Sequence, residues 1–121
     1  MRYATFAVPG TDGAQAELAV SSFPGDVGGD LENVNRWRTQ AGAAPVAAAD
    51  LPALVQKVPA GDKEFSLIDV TGPTMRVVAA WVRHGADTWF FKLTGPAALL
   101  GAEKEKFTAF LASVRFTEAG Q

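Results

Sequence analysis

The sequence predicts an α+β fold, a three-layer α/β/α sandwich around a mainly antiparallel sheet of five to six strands. Three segments in the second half alternate in the manner of β-strands, and short glycine-containing turns join them. The chain then closes with a helix that carries a strong apolar stripe. A further helix stands between two groups of strands, so helices and an antiparallel sheet share one domain over residues 1–121.

The first half predicts a hairpin followed by two helices. Residues 3–8 and 15–22 alternate as strands on either side of a turn at residues 9–13. We expect Asp30 to cap the next helix and Gly42 to end it. A short helix is then expected over about residues 50–57, with Pro52 in its first turn.

The second half predicts three strands, a long helix and a short final strand. The expected strands are Glu64–Thr71, Met75–Arg83 and Thr88–Thr94. The helix is expected over about Ala97–Ser113, and Val114–Phe116 is expected to add the last strand.

The two short turns also predict which side chains share a face of the sheet. If Val70 faces Met75 and Arg83 faces Thr88, one face is apolar almost throughout and ends in an ion pair between Asp69 and Arg76. Its apolar members are Phe65, Leu67, Val78, Ala80, Val82, Trp89, Phe91 and Leu93. We expect this face to be core, covered by the C-terminal helix.

The opposite face is mixed, and two interpretations of it compete. Its members are Ser66, Ile68, Val70, Val77, Ala79, Trp81, Arg83, Phe90, Lys92 and Thr94. In the first interpretation, which we favour, the first helix packs on this face. In the second, Trp81 and Phe90, rimmed by Arg83 and Lys92, line an open groove for a ligand.

The first helix carries the densest group of polar side chains in the chain. These residues are Asn33, Asn35, Arg36, Trp37, Arg38 and Gln40. Arginine, asparagine and tryptophan together are typical of surfaces that bind a protein or a carboxylate, so this helix and the neighbouring Gly25–Gly29 connector form a candidate interaction surface. The alternative, which we favour, is that Asn33, Arg36 and Arg38 bond to the carbonyl groups and acidic side chains of the connector.

Composition excludes several classes of function. Of the 121 residues, 11 are basic and 13 are acidic, and this balance argues against nucleic-acid binding. The chain has no cysteine, which excludes disulfides and thiolate chemistry, and no apolar run of the ~20 residues that cross a bilayer. The glycine-rich connector lacks the phosphate-loop spacing, and the single histidine, His84, falls in a turn. We therefore predict no catalytic residue, no cofactor and no metal site.

Several segments carry a resemblance to a known family. They are Arg2–Pro9, Phe23–Asp26, Asn33–Arg38, Trp89–Pro96 and Phe110–Phe116. Together they resemble the PsbP-like group of small α/β/α proteins (Mog/PsbP type), which includes many exported lipoprotein-type domains of bacteria. The resemblance implies an upstream strand and an export signal, so we expect this chain to be an excerpt of a longer protein.

The expected function follows from the residue pattern and from the PsbP-like resemblance together. We predict a non-enzymatic binding or protein-interaction domain of an exported or membrane-anchored bacterial protein, whose partner is an unidentified protein or small ligand. The alternative is a small-molecule carrier that uses the mixed face around Trp81 and Phe90, and an enzyme is the third hypothesis.

Overall fold

The computed structural model describes residues 2–9, 15–25, 29–60, 63–73 and 75–114. Its six strands are β1 (Arg2–Pro9), β2 (Gln15–Pro24), β3 (Gln56–Ala60), β4 (Lys63–Thr71), β5 (Arg76–His84) and β6 (Asp87–Gly95). Its helices are α1 (Gly29–Ala41), α2 (Leu51–Leu54, preceded by a 3-10 turn at Ala48–Asp50) and α3 (Ala97–Ser113). The strands form a single antiparallel sheet in the order β1-β2-β6-β5-β4-β3.

The predicted fold class is confirmed at the level of an α+β domain with a six-stranded antiparallel sheet and three helices. The hairpin β1–β2, the strands β4 to β6 and the helix α3 lie where the sequence places them, within two residues at each end. The predicted turn at residues 9–13 and the predicted final strand at residues 114–116 lie largely outside the described residues.

The helix expected over residues 50–57 is wrong beyond Leu54. The chain there turns into β3, an edge strand that pairs antiparallel with β4 and sets Val58 opposite Phe65. Pro59 lies inside β3, and proline is tolerated in a sheet mainly at an edge, where its missing N–H is not needed. The apolar residues Leu51 and Val55 still pack on the protein core, which is why their spacing indicated a helix.

The register of the central strands is partly as predicted. Arg83 faces Thr88 across β5 and β6, but Val70 faces Val77 rather than Met75 across β4 and β5. The pairing is therefore displaced by two residues. Because side chains alternate with a period of two, an even displacement leaves every residue on the face that the sequence assigns to it.

The apolar face is packed against α3. From the helix, Leu100, Phe107 and Leu111 are buried in one cluster with the sheet side chains of this face. The aromatic rings meet edge to face: the ring centroids of Phe65 and Phe91 are 5.8 Å apart, and those of Phe91 and Phe110 are 6.0 Å apart. This edge-to-face geometry suits the ring quadrupoles and adds stability beyond that of the buried apolar area.

The mixed face is packed against α1. Val34, Trp37 and Ala41 of the helix are buried in a second cluster with Ile68, Val70, Val77, Ala79, Trp81 and Phe90. The Trp37 ring centroid lies 5.3 Å from that of Trp81 and 6.1 Å from that of Phe90. Helix α1 therefore covers the central strands on the side opposite to α3.

One ion-pair network fastens α3 to the sheet. Arg76 donates two hydrogen bonds to the carboxylate of Asp69, through Nε at 2.9 Å and Nη2 at 2.7 Å, and Lys104 of α3 donates a third at 2.8 Å. The pair Asp69–Arg76 thus forms as predicted, although Asp69 lies opposite Val78. The Arg76 guanidinium and the Lys104 ammonium hold the pKa of Asp69 below its ordinary value of 3.8, although partial burial acts in the opposite direction.

None of the described helices is both long and apolar enough to cross a membrane.

Replacement of Asp69 by Asn tests the network. Because the folded state lowers the pKa of Asp69, the network stabilises the fold above pH 3.8 and is lost as the pH falls below that value. We expect Asp69→Asn to lower the free energy of unfolding by about 2 kcal/mol at pH 7 and to flatten its pH dependence below pH 4. Glu103→Gln, which removes only the pair with the exposed Lys106, should change the free energy little. Equal denaturation curves for Asp69→Asn and wild type at pH 7 would contradict this role.

Replacement of Gly72 by Ala tests the contact between α1 and the β4–β5 turn. A Cβ atom at Gly72 would overlap the backbone carbonyl of Ala41, which cannot move aside as a side chain can. We expect Gly72→Ala to destabilise the protein by about 2 kcal/mol in urea denaturation. Gly101→Ala is the matched control, since its Cβ would meet only the Arg76 guanidinium and would favour the helix. A Gly72→Ala variant as stable as Gly101→Ala would show that this contact is loose.

Candidate functional site

The six candidate residues on α1 differ in exposure: two are buried, two (Asn35 and Arg38) are half-buried, and two (Arg36 and Gln40) are exposed. Asn33 and Trp37 are buried, Trp37 against the rings of Trp81 and Phe90. Arg36 is exposed, with its guanidinium carbon 5.8 Å from the centroid of the Trp37 ring. The buried members belong to the packing of α1 and offer no surface to a partner.

Two polar side chains of α1 hold the segment that follows the helix. The Asn35 amide donates to the carbonyl of Val46 at 3.0 Å, and its oxygen accepts from the Val46 N–H at 2.8 Å. Arg38 donates from Nε to the carbonyl of Ala44 at 2.6 Å. Both side chains thus bond to the backbone of residues 44–46 after the helix, whereas the favoured alternative expects Arg38 to bond to the connector before it.

The connector itself is described only at its ends. Residues 26–28 lie outside the described residues. At the near end, the Gly25 N–H donates to the carbonyl of Ala86 at 2.6 Å, and the Gly25 carbonyl accepts from the Thr88 hydroxyl at 2.6 Å. Two hydrogen bonds thus join the start of the β2–α1 connector to the β5–β6 turn and the start of β6.

The less favoured interpretation, an open groove over Trp81 and Phe90, does not agree with the structure. Both rings are only 7% exposed, because Trp37 of α1 covers them. At the Lys92 end the rim is also closed, since the Lys92 ammonium donates to the Gln40 side chain of α1 at 3.0 Å. Of the two interpretations of the mixed face, the structure supports the covering helix.

Among the described residues, the mixed face is left uncovered at one end, next to the first turn of α1. A concavity of about 240 Å³ lies there. Its lining residues are Asp30, Glu64, Ser66, Trp81, Val82, Arg83 and Thr88. Asp30 stands in the first turn of α1 rather than capping it, and its carboxylate accepts a hydrogen bond from the Trp81 indole N–H at 3.1 Å. Of the candidate ligand face, Trp81 and Arg83 are thus the residues that border open space.

No titratable cluster suited to a metal ion is found in the part of the chain that the structure describes. His84 ends β5 and is partly exposed beside the β5–β6 turn, where Gly85 has a φ of 61°. That positive φ favours glycine, which explains the residue at this position.

The outer edge at β1 is a feature that the sequence interpretation missed. Among the described strands, β1 has a neighbour on one side only, and the consecutive residues Thr5, Phe6 and Ala7 near its middle are all exposed. Phe6 is 52% exposed, and among the described residues it is the one large apolar side chain that is exposed to solvent. The signal was present in the sequence, since residues 3–8 read YATFAV without a charge.

The opposite edge, β3, is built differently. It is five residues long, against eight for β1, and it carries Lys57 and Pro59. Short length, lysine and proline are the features by which proteins keep an edge strand from pairing with another chain. Of the two edges formed by the described strands, β1 is therefore the one with the properties of a docking edge, since its Arg2 and Pro9 stand at its two ends.

Comparison with known proteins shows the fold and no more. No family model matches the chain, and no curated protein matches it. Among solved structures, the chain is similar to the protein PA94 from Pseudomonas aeruginosa, a protein of unknown function whose description proposes a regulatory role. The TM-score is 0.57 and the sequence identity 12%, over 96% of this chain and 83% of the other. The resemblance to the PsbP-like group stays a prediction.

Replacement of Asn35 by Ala tests whether the polar side chains of α1 are structural. The variant loses both bonds to Val46 and leaves a peptide group without its partners. We expect the free energy of unfolding to fall by about 1–2 kcal/mol, measured by urea denaturation. Arg36→Ala, on the exposed side of the same helix, is expected to change it by less than about 0.5 kcal/mol. The reverse order of effects would show that Arg36 rather than Asn35 supports the fold.

Proposed function

We propose that this chain is a non-enzymatic protein-interaction domain that binds its partner by strand addition along β1. The observation that carries the proposal is the edge itself, eight residues long, free of charge after Arg2, and exposed at its centre. An edge strand presents N–H and C=O groups that a further strand can pair with. Such pairing gives affinity through the backbone and selectivity through alternate side chains.

Phe6 indicates which chemistry the partner presents. It lies on the same sheet face as Leu18, its partner in β2, and close to the partly buried Ala4 and Val8. Helix α3 packs over β2, β3, β5 and β6 and leaves this strip beside it open. A partner segment that is extended, uncharged and apolar at alternate positions would cover Phe6 while it pairs with β1.

The surface on α1 is less well supported as the docking site. Asn35 and Arg38 are engaged with the backbone of residues 44–46, and Asn33 and Trp37 are buried. Of the six candidate residues, this leaves Arg36 and Gln40 exposed, and Gln40 accepts a hydrogen bond from Lys92. A docking site normally has a central apolar anchor, and the exposed side of α1 offers none.

Two further parts of the proposal rest on separate grounds. A three-layer α/β/α arrangement is supported by the two core clusters, one formed with α1 and the other with α3 on the opposite face. An exported or membrane-anchored bacterial location rests on the PsbP-like resemblance alone. Fractionation of cells that make the whole gene product would test it, and recovery with the cytoplasmic proteins would contradict it.

Site-specific photo-crosslinking tests the docking edge in cells that naturally make the protein. A benzophenone side chain is placed at position 6, at position 36 of α1, or at position 106 of α3 as the surface control. We expect a covalent adduct with another protein from position 6 and none from the other two. Adducts from position 36 alone would show that the docking site is on α1. An adduct of twice the chain mass would show that the partner is a second copy of this chain.

A matched pair of variants then separates binding from folding. Phe6→Lys puts a charge on the edge, which opposes strand addition. Phe6→Ile keeps the position apolar, and isoleucine is β-branched and suits a strand. The crosslinker for this pair is moved to position 5. Because Phe6 is exposed, both variants should keep the wild-type denaturation curve. We expect the adduct to be lost in Phe6→Lys and kept in Phe6→Ile, whereas adducts of equal yield in both would overturn the proposal.

A further inference from the structure

We infer a second binding site, independent of the β1 edge, in the concavity beyond the start of α1, and its chemistry fits a small zwitterion such as a free amino acid. The site combines carboxylates, a guanidinium and an indole in one recess of about 240 Å³. Recesses that hold drug-sized ligands measure about 300–1,000 Å³, so this one suits a smaller molecule.

Opposite charges stand on neighbouring strands at the mouth of the recess. The pairing of β4 with β5 ends at Ser66 and Trp81. Glu64 and Arg83 lie two residues further along their own strands, on the same face of the sheet, and both line the recess. Both side chains are exposed, and the exposed Asp30 carboxylate faces the same recess from α1. A ligand with an ammonium and a carboxylate group could place the first near Asp30 and Glu64 and the second on Arg83.

Other ligand classes fit this wall less well. A phosphate or another plain anion would meet two carboxylates, and a polyamine would meet Arg83 and also Lys57, whose ammonium donates to the Ser66 hydroxyl at 2.9 Å. An apolar ligand would take water from these charged groups without replacing their hydrogen bonds. A molecule with both charges close together avoids each of these costs.

The inner wall of the recess is held in place before any ligand arrives. The Trp81 indole is fixed by its hydrogen bond to Asp30 and by the Trp37 ring behind it. Thr88 is buried and tied to the Gly25 carbonyl. A preformed wall lowers the ordering cost of binding. A direct pair between exposed Glu64 and Arg83 would compete only weakly, since exposed ion pairs contribute little.

Titration followed by NMR tests the site with three probes that share the alanine side chain and differ in which charged groups they carry. L-alanine carries both charges, N-acetyl-L-alanine lacks the ammonium, and L-alaninamide lacks the carboxylate. The readout is the Trp81 indole N–H resonance, because that group bonds to Asp30 in the wall. We expect saturable shifts with L-alanine and none with the other two. No shift with L-alanine, or equal shifts with all three, would overturn the assignment.

Variants locate the binding and separate it from other surfaces. Arg83→Gln and Glu64→Gln each remove one charge from the mouth and should weaken L-alanine binding by about tenfold or more. Lys106→Gln on the exposed side of α3 is the matched control and should leave binding unchanged. Binding that survives both mouth variants would contradict the site. None of these residues lies on β1, so the outcome is independent of crosslinking at position 6.

Discussion

The burial of the Trp37 indole against Trp81 and Phe90 determines how the rest of this domain is arranged. The central strands have apolar side chains on both faces, so neither face is stable in water without a cover. Helix α3 supplies one cover. Trp37 supplies the key part of the other, and with it α1 closes the groove that a ligand would need along Trp81 and Phe90. The Trp81–Asp30 hydrogen bond then holds the first turn of α1 to the sheet, and the Asn35 side chain holds the segment that follows the helix.

The positions of the two covering helices also explain which parts of the sheet are left accessible for binding. Helix α1 packs on β4 and β5, and α3 packs over β2, β3, β5 and β6, so the outermost strand β1 lies beside them. Helix α1 also begins short of one end of the sheet. The first gap exposes the uncharged edge around Phe6, and the second leaves the charged recess between Glu64 and Arg83. The two gaps differ in character: one is extended and apolar, the other small and charged. A partner polypeptide suits the first, and a small charged molecule suits the second.

The sequence predicted the central layer well and the sites poorly, for physical reasons. Alternation with a period of two assigned Trp81 and Phe91 to opposite faces even though the β4–β5 register was displaced by two residues. The strand around Pro59 was missed because edge strands have weak local signals. The bonds from Asn35 to Val46 and from Trp81 to Asp30 join residues 11 and 51 positions apart, and only the fold brings them together. The uncharged run around Phe6 was visible, but only the strand order identified it as an edge.

Hydrogen exchange of backbone amides in the monomeric chain tests most directly whether the helices leave β1 uncovered. In an edge strand, alternate amides point away from the sheet, whereas every amide of a central strand has a partner. We predict that alternate amides within residues 4–8 exchange nearly as fast as in an unstructured peptide. The amides of the central strand β5 should be the slowest in the protein. Uniform protection of residues 4–8 at the level of β5 would show that the edge is already covered and would contradict the account.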